Sequence, residues 1–233
     1  MPSPHLDVNR PAGVPTAVAL VLHGGRSVSR RQVRANQLAV LRMLPFARAL
    51  RRAGTPHGLV VVRLRYSVRG WNGADRSPLR DARWALDELD RRHPGLPVAL
   101  VGHSMGARTA LYVAGHPSVR VVVGLAPWIE AGDPVAQLAE RRLLIAHGTE
   151  DRMTSAPASA AYAERAARVA ASVSYVSVAD DKHAMLRRAR VWHELAAGFV
   201  TGVLFDKAPE GTVGGNTTNV LAKALAGHAS LIV

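Results

Sequence analysis

Residues 97–106 read Pro97-Val98-Ala99-Leu100-Val101-Gly102-His103-Ser104-Met105-Gly106, a short apolar run followed by Gly-x-Ser-x-Gly. The run reads as a buried strand, and Ala107-Arg108-Thr109-Ala110-Leu111-Tyr112-Val113-Ala114 can continue as a helix. A serine on so tight a strand-to-helix turn is held in strained backbone geometry with its hydroxyl pushed into open space. Glycines two before and two after it let the strand and the helix approach closely. In a chain with 20 glycines the pentapeptide alone is weak, and a merely structural turn is the alternative. The preceding strand and following helix favour a nucleophile.

Three further strands end in polar turns. Arg142-Leu143-Leu144-Ile145-Ala146 runs into His147-Gly148-Thr149-Glu150-Asp151. Ser172-Val173-Ser174-Tyr175-Val176-Ser177-Val178 runs into Ala179-Asp180-Asp181-Lys182-His183. Upstream, the continuous apolar run Ala17-Val18-Ala19-Leu20-Val21-Leu22 ends in His23-Gly24-Gly25-Arg26.

On these motifs the chain resembles the α/β-hydrolase family over roughly residues 17–205. In that family the nucleophile, the acid and the histidine follow in that order along the chain. The resemblance implies Ser104 as nucleophile, Asp151 as orienting acid and His183 as general base and acid. It also implies an oxyanion hole made by the backbone N–H groups of Gly25 and Met105. The chemistry needs these types. A serine hydroxyl is a poor nucleophile at neutral pH, a neutral imidazole takes its proton, and a carboxylate fixes the imidazole's tautomer. Plainer readings stand beside each. His183 is otherwise a surface-loop histidine, and His23-Gly24-Gly25 an ordinary glycine turn. Asp180 or Asp181, which more simply shape the loop carrying His183, are alternative acids. His103 and His147 are motif residues expected to pack or hydrogen-bond locally.

At 233 residues and 48% hydrophobic composition the chain is most simply one hydrolase domain over residues 1–206, with a C-terminal extension of unknown role over 207–233. No apolar run is long enough to span a membrane, so no stable membrane insertion is expected. The start of the chain lacks a signal pattern, which gives a cytoplasmic expectation. The absence of cysteine excludes disulfides, a thiol nucleophile and thiolate metal sites. The net charge of +13 invites a nucleic-acid reading. Only three of the 30 basic residues are lysine, and the arginines are spread over separate elements without interleaved aromatics. No nucleic-acid partner is therefore expected; an acidic small substrate or an anionic lipid surface remains a lesser alternative.

The remaining segments alternate strand and helix. A short leading strand covers 5–10. A long connection, 26–43, carries Arg26, Arg30, Arg31 and Arg34. A helix around 45–52 stops at Gly54, and a strand covers 59–64. Ser77 and Pro78 read as cap and first position of a helix with Leu79, Ala82, Leu86 and Leu89 on one face. After the strand 121–125 come helices near 157–170 and 184–205. The fold class is α/β, a mostly parallel twisted sheet with helices on both faces. Residues 126–141 leave no room for a large cap domain, so the site is expected to be open, with 26–43 as a partial cover.

Substrate-binding candidates are Trp128, which follows a strand at its carboxyl end, Arg26 beside the oxyanion turn, and Tyr66 and Trp71 flanking another strand's loop. Met105 is placed to line the acyl side, whereas Trp84 and Trp192 read as packing residues. The expected function is hydrolysis of a small-molecule carboxylic ester or thioester through an acyl-serine, without metal or organic cofactor. Amide or peptide cleavage, and a non-catalytic binding protein on the same scaffold, are the alternatives. In the tail, 207–219 reads as a linker and 220–226 as a short helix; packing back on the domain, a homodimer contact and disorder all stay open.

Overall fold

The computed structural model describes residues 2–9, 11, 13–207 and 215–233. An eight-stranded sheet runs through it in the order β1-β3-β2-β4-β5-β6-β7-β8. The strands are β1 His5–Asn9, β2 Ala17–Leu22, β3 Leu59–Arg65, β4 Val98–His103, β5 Val119–Leu125, β6 Arg142–Gly148, β7 Ser172–Val178 and β8 Ser230–Ile232. Only β1 is antiparallel to its neighbour. The helices are α1 Leu38–Leu41, α2 Leu44–Gly54, α3 Ser77–Arg92, α4 Met105–Val113, α5 Ala156–Ala166, α6 Ala189–Phe205 and α7 Gly215–Leu225.

Period-two alternation assigns the two faces. Val18, Leu20 and Leu22 of β2 pack with α3, α4 and α5, while Ala17, Ala19 and Val21 pack with α2, α6 and α7. The strands carry apolar residues on both faces because helices cover both. From β2 the chain steps to one side, to β3, and then crosses back to β4 on the other. That reversal opens a crevice at the carboxyl ends of β2 and β4, where sheets of this kind bind ligands.

Several boundaries differ from the sequence reading. Ser77 is the first helical residue, not the cap. The cap is Arg76, in left-handed backbone at φ 43°, and the Ser77 hydroxyl instead accepts from Asn72 Nδ2 at 3.1 Å. α5 ends at Ala166, and its Ser155 cap accepts from the Ala158 N–H at 3.1 Å. α6 starts at Ala189 rather than near 184. The Asp181 carboxylate holds the preceding turns, accepting from the N–H groups of Lys182 at 2.7 Å and Arg188 at 2.9 Å and from Trp192 Nε1 at 2.9 Å. Trp192 is fully buried, as expected, but Trp84 is 40% exposed on α3. The linker reading of 207–219 falls largely outside the described residues. Its last part, 215–219, is helical instead, since α7 begins at Gly215; α7 packs on α6, and β8, which the sequence reading lacked, adds a parallel edge strand to β7.

Candidate active site

Ser104 follows β4 with φ 56° and ψ −119°, a combination that costs a non-glycine residue of order 1–3 kcal/mol. The turn is fastened on both sides. The Ser104 N–H donates to Leu125 O at 3.0 Å, and Ser104 O accepts from the Arg108 N–H at 3.1 Å and the Trp128 N–H at 3.3 Å. A Cβ at Gly102 would lie 2.4 Å from Gly106 O, and one at Gly106 would lie 2.4 Å from Leu22 O. The two glycines therefore let the turn close and let α4 pass against the end of β2.

β6 and β7 deliver the other two residues. His183 Nδ1 lies 2.8 Å from Asp151 Oδ2. The same oxygen faces His147 Nε2 at 3.1 Å and accepts from the Thr154 hydroxyl at 2.8 Å. Asp151 Oδ1 accepts from the N–H groups of Met153 at 2.8 Å and Thr154 at 3.0 Å. Burial alone would push the Asp151 carboxyl up. The hydrogen bonds from His147, His183, Thr154 and Met153 more than offset it and hold the group well below the usual carboxylate range. A carboxylate only accepts, so His183 Nδ1 carries a proton, and in the neutral ring Nε2 is then the acceptor. His147 Nε2 is likewise protonated, and its Nδ1 accepts from Ser159 Oγ at 2.9 Å.

His103, beside Ser104, is buried and neutral, its pKa pushed down to about 3 by burial and then by the neighbouring His183. Its Nε2 donates to the His183 carbonyl at 3.0 Å, and the two rings lie 4.7 Å apart. That contact brings the β7 loop against the elbow. Among the described residues Ser104 Oγ has no hydrogen bond.

The turn after β2 packs on the elbow from the other side. A Cβ on Gly24 would meet Ser104 Cβ at 3.5 Å, and one on Gly25 would meet the Met105 sulfur at 2.4 Å. His23 anchors this turn: its Nδ1–H donates to Gly24 O at 2.6 Å and its Nε2 accepts from the Tyr66 N–H at 3.3 Å. Burial pushes its pKa down to about 4, so it is neutral. Among the described residues the N–H groups of Gly25 and Met105 have no partner. Two unpaired donors next to a strained serine can stabilise a developing oxyanion.

An open cleft of about 380 Å³ is lined by Ser27 and Val28, just past Gly25 in the chain, and among others by Trp71, Trp128, Arg76, Arg108 and Glu130. The Arg108 guanidinium lies 4.4 Å from the Trp71 ring and 4.6 Å from that of Trp128. It is paired with Asp133 at 2.6 Å and Glu130 at 2.7 Å. Trp71 and Trp128, two of the substrate-binding candidates, both line this cleft. Tyr66 does not: it is 1% exposed, packed edge-on against His23. It belongs to the core beneath the turn because the side chain that follows β3 points inward. Met105 is also buried, under Gly25, and Arg26 is exposed in the loop that follows it. The sequence reading missed Thr154, Arg108 and the positions of His103 and His147. For the two histidines the signal was their place inside the motifs; Thr154 and Arg108 carried none.

Residues 67–143 match the family described as serine aminopeptidase, S33. Human monoglyceride lipase is 33% identical over 108 residues, a match spanning 46% of this chain and 33% of that enzyme. The chain thus matches about a third of the length of this curated relative. An α/β serine hydrolase without lid from Xanthomonas campestris superposes with a TM-score of 0.63 at 20% identity, covering 87% of this chain and 90% of that one. An α/β serine hydrolase homologue from Coxiella burnetii gives 0.62 at 18% identity, covering 83% and 90%.

Proposed function

We propose that this chain, which has the fold of the α/β serine hydrolases it resembles, hydrolyses a carboxylic ester or thioester through an acyl-serine intermediate. The observation that carries the reading is the Asp151–His183 bond, which leaves Nε2 of the neutral ring as the acceptor on the loop that packs against the strained Ser104 turn. Ser104 Oγ attacks the acyl carbon while His183 Nε2 takes its proton. The oxyanion receives hydrogen bonds from the Gly25 and Met105 N–H groups. His183 then returns the proton to the leaving alcohol or thiol as the bond to it breaks. Water, deprotonated by the same nitrogen, attacks the acyl-serine and releases the acid. Trp71 and Trp128 wall the cleft that receives the substrate.

The matched family's description names aminopeptidases, and amide cleavage would run on the same parts. An aminopeptidase must hold a free ammonium group. Here the cleft carries Arg76 without a carboxylate partner among the described residues, and its one carboxylate, Glu130, is paired with Arg108. That charge pattern supports the ester reading. A p-nitrophenyl ester series from acetate to laurate, run beside an aminoacyl p-nitroanilide, tests it. Turnover of the esters with a stoichiometric burst is expected. Faster cleavage of the anilide, or no ester turnover by folded protein, would overturn it.

A further inference from the structure

Nine large hydrophobic side chains are exposed among the described residues, and five of them, Val28, Leu38, Leu41, Met153 and Leu186, lie on α1 or on the loops that follow β2, β6 and β7. Leu38 is 76% exposed and Leu186 70%. Leu38 and Leu41 are three apart on the single turn of α1 and share a face. The next residue, Arg42, donates to the carbonyl of Ala184, two residues before Leu186, which draws the end of α1 against the His183 loop. Val28 lies on the wall of the cleft. Water-facing leucines grouped at one end of a molecule mark an interaction surface in a way that scattered ones do not.

The same end is positive. Segments 26–32 and 68–72 pair as a ribbon through the Arg26–Gly70 and Gln32–Val68 bridges. The Arg26 N–H donates to Arg69 O at 2.9 Å and the Arg69 N–H to Arg31 O at 3.0 Å. Arg26, Arg31, Arg34 and Arg69 have no carboxylate partner among the described residues. Crowding away from water, and then the charges of Arg31, Arg34 and Arg26, pull the Arg69 guanidinium below its usual pKa. A ribbon that gathers like charges beside exposed leucines suits a partner that offers anions and an apolar layer just beneath them.

We propose that this face docks on a lipid surface bearing anionic headgroups, with the arginine ribbon on the headgroups and Leu38, Leu41 and Leu186 entering the acyl boundary. The mouth of the cleft, with Val28 on its wall, then opens toward the lipid. This is peripheral adsorption by side chains, and it differs from insertion of a helix. It leads to ester substrates that sit in the lipid layer, but the docking itself does not depend on hydrolysis.

The test uses the full-length Ser104→Ala protein, so that no lipid is consumed, and vesicles of phosphatidylcholine with or without about 30 mol % phosphatidylglycerol. Co-sedimentation is expected to be at least about tenfold greater on the anionic vesicles at low salt and to collapse in high salt. Leu38→Ser with Leu186→Ser, which leaves the charge unchanged, is expected to lower binding about tenfold. Arg31→Gln with Arg34→Gln is expected to erase the preference for anionic lipid. All four side chains are exposed, so the variants should fold, which thermal unfolding checks. Absence of binding by the parent protein, equal binding to both vesicles, or undiminished binding by the leucine variant would each overturn the proposal. A proteinaceous partner on this face would appear as the first of these results. Because the readout is binding, its failure is separate from any failure of the ester chemistry.

Discussion

Asp151 receives five hydrogen bonds, from His183, His147, Met153 and Thr154. On the proposed mechanism its carboxylate selects the Nδ1-protonated tautomer of His183. Asp151→Asn presents an amide that can favour the wrong tautomer, and kcat on a soluble ester is expected to fall roughly 10³- to 10⁴-fold. His103 is a positioning residue. Its Nε2–H holds the His183 backbone, so His103→Leu should lower kcat about tenfold with KM little changed. His103→Gln, whose Nε2 reaches a similar point, should restore most of the loss; failure of that rescue would show that bulk, not the hydrogen bond, matters. The three triad candidates were legible because each ends a strand in a motif of restricted spacing. Thr154 was not, because a hydroxyl three residues past an aspartate is common in turns and only the folded loop turns it onto Asp151 and within 3.2 Å of His183 Nδ1.

At the scale of elements, the elbow depends on α4 passing within van der Waals contact of β2. Gly106→Ala puts a methyl into the backbone of Leu22 and His23, with no flexible side chain to yield. It is expected to cost more than about 2 kcal/mol, read by chemical denaturation, or to displace the turn and abolish activity. The C-terminal elements carry stability of their own. Leu221, Ala224, Leu231 and Val233 are buried against α6 and β7. Deleting residues 215–233 would uncover that apolar surface at about 1.5–3 kcal/mol for each large side chain, a large part of a domain's usual margin. A melting temperature within a few degrees of the full chain would contradict this. The longer strands were readable from continuous β-branched runs. β8 was not, because Leu231-Ile232-Val233 is too short to show a period, and only the open edge of β7 makes it a strand. The late start of α6 was equally hidden, since it is set by Asp181 accepting from backbone groups up to Arg188.

The whole molecule combines a legible fold with a partly legible surface. Repeated strand–helix alternation, with polar turns after β2, β4, β6 and β7, was enough to place the site at the carboxyl end of a parallel sheet. The distribution of charge was only partly readable: Arg26, Arg31 and Arg34 share one connection, but Arg69 meets them only when the 26–32 and 68–72 segments pair. Two buried neutral histidines give the molecule a pH signature. His23 and His103 titrate near 6.5 when unfolded but are held at about 4 and about 3 in the fold. Below pH 6.5 the unfolded chain therefore binds more protons. Stability is full above that pH and falls as the pH drops toward 3, by up to about 1.4 kcal/mol per unit for each histidine. Denaturation at pH 5 should show about 2 to 4 kcal/mol less stability than at pH 7.5, and equal stability at the two would contradict the buried neutral state.

The central claim is that Ser104 is an activated nucleophile. Incubating the folded protein with a fluorophosphonate and reading the intact mass and the modified peptide tests it most directly. The account predicts one adduct per chain, on Ser104, absent from Ser104→Ala and strongly slowed in Asp151→Asn. An unlabelled wild-type protein, or an adduct on any other residue, would contradict it.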